Sequence, residues 1–173
     1  VVVKQVIAHG DRLMLSVDPG GTTGWLLFRP VVDEEQLTGI GIEPLEWGEE
    51  PSQMAFCNRV WSLASQNHPS TKRGLDLIVI ENWYPREGVR TWEPEAVEII
   101  GFCRWVMNND PERFFVQEVS HAKSFGTPAK VDHYRSEKVP PLNVGRGGEG
   151  HAVMALKHAI LFVNTRWSPE PRP

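Results

Sequence analysis

Two carboxylates stand where a chain commonly does chemistry. Asp18 closes the run Leu13-Met14-Leu15-Ser16-Val17 and directly precedes the turn Pro19-Gly20-Gly21-Thr22-Thr23-Gly24, and Glu81 closes the apolar run Leu77-Ile78-Val79-Ile80. An apolar run ending in an acid reads as a buried strand whose last side chain emerges at the sheet edge, where sites form in parallel and mixed sheets. Two carboxylates held together there repel each other unless a proton or a divalent cation intervenes, and such oxygen ligands suit Mg²⁺ or Mn²⁺. Either acid alone is more simply a turn cap; only the pair points to a site.

A third group lies near the C-terminus. His151, Met154 and His158 follow at spacings of three and four and so share one helix face. A histidine there is ordinarily a hydrogen-bonded structural residue. The glycine-rich approach Gly145-Arg146-Gly147-Gly148-Glu149-Gly150, however, can bring Glu149 and His151 against the sheet edge. Glu149 then either contributes to the site or simply compensates the positive end of the helix.

Positioning these residues takes a sheet and helices. Leu13 to Asp18 and Trp25 to Phe28 read as a hairpin, and Gly39 to Trp47 as a third strand. A helical pattern with Met54, Cys57, Val60, Trp61 and Ala64 follows Pro51. Asp76 to Glu81 reads as a strand buried on both faces. Ala96, Ile99, Ile100, Cys103 and Val106 mark a second helix, Phe114 to Val119 a fifth strand, and about Glu149 to Val163 the last helix. Residues 120 to 148 lack strong periodicity and read as an ordered surface loop with room for one short helix. Three strands followed by alternating helices and strands predict a mixed α/β sheet, with residues 1–173 as one domain.

Composition agrees with a soluble globular chain: of 173 residues, 40% are hydrophobic and 23% charged. No apolar run approaches the length of a membrane helix, so no membrane partner is expected. Neither a signal peptide nor a disulfide framework is legible; Cys57 and Cys103 read as buried thiols, and the expected location is cytoplasmic. The net charge of −4 argues against nonspecific coating of nucleic acid, but the charge is unevenly spread. Residues 30 to 58 carry seven acidic side chains and no Lys or Arg, whereas residues 120 to 147 carry Lys123, Lys130, Arg135, Lys138 and Arg146 against Asp132 and Glu137. The basic segment can meet a polyanion.

The combination of Ser16-Val17-Asp18-Pro19-Gly20-Gly21-Thr22-Thr23-Gly24-Trp25, Ile78-Val79-Ile80-Glu81 and Gly150-His151-Ala152-Val153-Met154-Ala155-Leu156-Lys157-His158-Ala159 resembles the RuvC Holliday-junction resolvases, particularly their bacteriophage branch. The resemblance spans about residues 12 to 163. It implies an RNase H-like fold, a five-stranded mixed sheet whose first three strands are antiparallel, flanked by helices. It also implies a homodimer and hydrolysis of phosphodiesters in branched DNA with two divalent cations, Mg²⁺ or Mn²⁺, and no nucleotide cofactor.

By that resemblance Asp18 corresponds to the first-strand aspartate that bridges the metals, Glu81 to the fourth-strand glutamate, and His151 to the first metal-site position of the last helix. The family's second helix position is usually Asp. Here it is Met154, and a thioether is a poor ligand for a hard cation. Lys130 falls where the family places a lysine near the scissile phosphate. Tyr84 falls at an aromatic used for stacking at the junction, with Trp83 beside it. Lys123 and Arg146 join Lys130 as expected DNA contacts, and Glu149 is a further expected metal ligand.

Two other readings compete with a nuclease. One is a junction-binding protein that has lost its chemistry, motivated by Met154 and the acidic net charge. The other takes residues 18 to 24 as the phosphate loop of an actin-like ATPase or sugar kinase, which would need a second such domain and a second phosphate loop, more than 173 residues hold.

Overall fold

The computed structural model describes residues 12–32, 40–69, 74–82, 94–118 and 150–166. In chain order these form β1 (Met14–Asp18), β2 (Thr23–Val32), β3 (Ile40–Glu50), α1 (Gln53–Ser65), β4 (Leu77–Glu81), α2 (Pro94–Val106), β5 (Phe114–Gln117) and α3 (His151–Thr165). One sheet contains all five strands in the order β3-β2-β1-β4-β5. β1, β2 and β3 form an antiparallel meander, and β4 and β5 run parallel to β1. This is the expected mixed sheet with its first three strands antiparallel.

Local chemistry sets the helix ends. The Ser52 hydroxyl accepts from the Ala55 amide at 3.3 Å and caps α1. Pro94 opens α2, where its missing N–H costs nothing, with Glu95 in the first turn and Arg104 in the last, as the helix dipole favours. Asn108 and Asn109 then take left-handed φ values of 58° and 56° and stop the helix.

Period-two alternation divides the core. Leu13, Leu15, Val17, Leu27, Ile78 and Ile80 face α1 and α2, whereas Met14, Leu26, Phe28, Leu77 and Val79 face α3. The buried stripe of α1 is Phe56 and Val60. Met54 and Trp61, expected on that stripe, are instead 69% and 52% exposed, because a helix can seat only one face on the sheet. In α2 the expected Ala96, Ile99 and Cys103 are buried. Cys57 is only partly buried, and both cysteines are free thiols. No described helix is long and apolar enough to cross a membrane.

One irregularity matters for the site. Pairing of β2 with β3 shifts between Leu27 and Phe28, so that Leu27 opposes Glu46 and Phe28 opposes Pro44, leaving Leu45 as the extra residue of a bulge. The bulge inverts the alternation of β3. Ile42 before it and Trp47 after it both pack on the α3 side, although five residues apart.

Candidate active site

The strand ends line up as a single row across the sheet. Glu49 pairs with Gly24, Gly24 with Asp18, and Glu81 with Gln117, while the preceding pair Val17 and Ile80 sets Asp18 beside Glu81. Alternation turns all five toward α3. Asp18 follows Met14 and Ser16, Glu81 follows Leu77 and Val79, Gln117 follows Phe115, and the bulge brings Glu49 onto the face of Trp47.

The first turn of α3 lies directly on this row. A Cβ at Gly24 would collide with the His151 carbonyl group and the Ala152 nitrogen, so no other residue lets the helix sit there unmoved. Gly150, at φ +81°, opens the helix without a side-chain cap. Glu49 supplies the cap from the neighbouring strand, where its Oε1 accepts from the amides of His151 at 2.7 Å and Ala152 at 3.3 Å. An anion thus satisfies the open N–H groups at the positive helix end. In the sequence Glu49 reads only as part of an acidic segment; the bulge that turns it toward α3 leaves no mark in the residue pattern.

Two imidazole–carboxylate pairs follow along the helix. His151 Nδ1 lies 2.7 Å from Asp18 Oδ2, the His151 side chain being 47% exposed and that of Asp18 12%. Seven residues on, His158 Nε2 lies 3.0 Å from Glu81 Oε2 and its Nδ1 lies 2.8 Å from Gln117 Oε1, with the imidazole fully buried. Met154, between them, is half-buried. Burial pushes the Asp18 carboxyl up to about 7; the hydrogen bond from His151 pulls it down, and the neighbouring Glu81 carboxyl pushes it up again.

Asp18, Glu81 and His151 are therefore brought together, as the sequence suggests. Among the described residues no three His, Cys, Asp or Glu side chains form a finished coordination cluster. The donor chemistry nevertheless fits a hard divalent cation: two crowded carboxylates, one pressed toward protonation by burial and by the other, are relieved by a positive charge between them. Glu149, Lys123, Lys130, Arg146, Trp83 and Tyr84 lie outside the described residues. His158, Gln117 and Glu49 join the site from the structure. The spacing of His158 from His151 is a usable signal for the first, whereas Gln117 depends on the register of β5.

No family model matches the sequence, and no curated protein matches it. Solved structures do. The fold is similar to that of RuvC from Thermus thermophilus, with a TM-score of 0.54, 11% identity, and 88% of this chain aligned to 95% of that one. It is also similar to the Holliday junction resolvase of fowlpox virus, with a TM-score of 0.50, 13% identity, and coverage of 88% and 98%. The chain thus has the RuvC-like, RNase H-type fold.

Proposed function

We propose that this protein is a structure-selective, divalent-metal-dependent endonuclease that cleaves phosphodiesters in branched DNA such as Holliday junctions. The observation that carries this reading is the meeting of Asp18 and Glu81 beside His151, at the end of a sheet shared with a RuvC and a viral resolvase. In this reading Asp18, Glu81 and His151, with Glu149, would hold two Mg²⁺ or Mn²⁺ ions. Such ions would acidify a water and neutralise charge at the cleaved phosphate.

The chain's own residues prepare that chemistry. Asp18 fixes the ring of His151 through Nδ1, so the exposed imidazole keeps one orientation where substrate arrives. Glu49 anchors the helix that carries His151. Lys130 would offset phosphate charge, with Lys123 and Arg146 on the DNA backbone and Trp83 and Tyr84 stacking on unpaired bases. A two-fold homodimer would match the symmetry of a four-way junction.

Met154 supports a second reading, a junction-binding protein with impaired cleavage, because it places a thioether where an acid would complete the ligand set. The test is cleavage of a four-way junction, a flap and a linear duplex by the purified protein in Mg²⁺ and in Mn²⁺. Junction cleavage, stronger in Mn²⁺ because that ion accepts nitrogen ligands more readily, supports the nuclease. Junction binding without cleavage in either metal supports the second reading, and Met154→Asp should then restore Mg²⁺-dependent cleavage.

A further inference from the structure

We propose that His158 is a positioning residue for Glu81, locked in turn by Gln117, so that the buried half of the site is set by a Gln117–His158–Glu81 chain. The proposal rests on the metal-dependent site above and extends it to a residue that never touches substrate.

The surroundings of His158 are apolar. Its helix neighbours Ala155, Leu156, Ala159 and Ile160 are all buried on the α3 side of the core. An imidazole in such a place is costly unless both ring nitrogens find partners, and a leucine would fill the space without that cost. Both nitrogens do find partners, and both partners belong to the strand-end row. Seven residues separate His158 from His151, two helical turns, so one helix face addresses both carboxylates of the row.

Proton placement follows from the acceptors. Either the ring is an imidazolium donating through both nitrogens, or the Gln117 amide turns its NH₂ toward Nδ1 and the neutral ring keeps its proton on Nε2. With Glu81 ionised, Nε2–H donates to Glu81 Oε2 in both cases. One oxygen of Glu81 is thereby fixed, the carboxyl cannot rotate freely, and its approach to Asp18 is defined. Hydrogen bonds of this outer kind orient metal-binding carboxylates and tune their affinity. The two histidines differ in access: the His151 side chain is 47% exposed and available at the surface, whereas the His158 side chain is 0% exposed and acts only through Glu81.

Two substitutions of similar size separate positioning from packing. In His158→Gln the amide reaches the place of Nε2 and can still donate to Glu81; in His158→Asn it ends near Nδ1 and cannot. Binding of Mn²⁺ alone is measured by calorimetric titration, together with kcat and KM for a four-way junction and the thermal midpoint. His158→Asn should weaken Mn²⁺ binding and kcat by roughly tenfold or more with KM unchanged, while His158→Gln stays within about threefold of wild type. Equal losses in both variants, following their thermal midpoints, would overturn the proposal and leave His158 a packing residue. Nitrogen-15 shifts of His158 in metal-free wild type and Glu81→Gln test the pairing independently of cleavage: Nε2 should move, and an unmoved resonance refutes the contact. A wild type that binds no Mn²⁺ and cuts no junction sinks the proposed function, and the nitrogen shifts still decide the pairing.

Discussion

At the scale of single residues, Asp18 is held against its ordinary preference. Its carboxyl is raised to about 7, first by burial and then by Glu81, so the folded protein retains a proton there that the unfolded chain has already lost. The stabilisation from that proton is full in acid and disappears as pH rises through about 7. In chelator, the thermal midpoint should therefore fall between pH 5 and 8, by on the order of 5 °C. Asp18→Asn should flatten that fall and raise the midpoint at pH 8, and Mn²⁺ should restore the wild type there. A wild-type midpoint indifferent to pH in chelator would show that the two carboxylates are not crowded. The same substitution reads out on activity. Asp18→Asn and Glu81→Gln should each abolish junction cleavage while leaving junction affinity within about threefold, since backbone contacts elsewhere position the DNA. Cleavage near the wild-type rate in either variant would remove these acids from the chemistry.

At the scale of elements, the site is a matter of where α3 is allowed to rest. Gly24 gives it a seat and Glu49 a cap, so both should matter to His151 without touching substrate. Gly24→Ala must push the helix start off the sheet, at a cost of about 2 kcal/mol or more, and should lose cleavage because His151 leaves Asp18. Glu49→Gln keeps the shape and removes the charge, and should cost about 1 kcal/mol with cleavage only modestly reduced. Equal stability of Gly24→Ala and wild type in a denaturant titration would refute the close approach. The same two residues mark the limit of what the sequence discloses. The strand-end acids are legible as a pair, since either alone reads as a turn cap, and the strands and helices of the described residues follow from periodicity and turn chemistry. Glu49 is hidden by the bulge at Leu45, and the outward faces of Met54 and Trp61 by the fact that spacing shows a stripe without showing which stripe is covered.

At the scale of the whole molecule, the face opposite α3 carries exposed apolar side chains among the described residues, and they bear on the proposed two-fold. Met54 and Trp61 on α1 and Val97 and Trp105 on α2 are 69%, 52%, 44% and 58% exposed, and the two tryptophan rings stack at 5.7 Å. A cluster of this kind marks an interaction surface. Gly101 lies one turn from both Val97 and Trp105, and a Cβ there would meet nothing within 4 Å. An exposed glycine inside a helix costs about 1 kcal/mol relative to alanine. In the proposed homodimer a second copy of the chain would cover this face. A two-fold axis through Gly101 with the two α2 helices antiparallel would set Val97 and Trp105 of the two copies opposite each other. Apolar groups would then face apolar groups. Wild type should sediment as a dimer at micromolar concentration. Trp61→Ser combined with Trp105→Ser should give a folded monomer that still binds a junction but loses paired incision of its two opposed strands, since each monomer then cuts alone. A double variant that keeps the dimer would move the two-fold away from this face, and a monomeric wild type would remove it, in either case leaving the active site on the α3 side untouched.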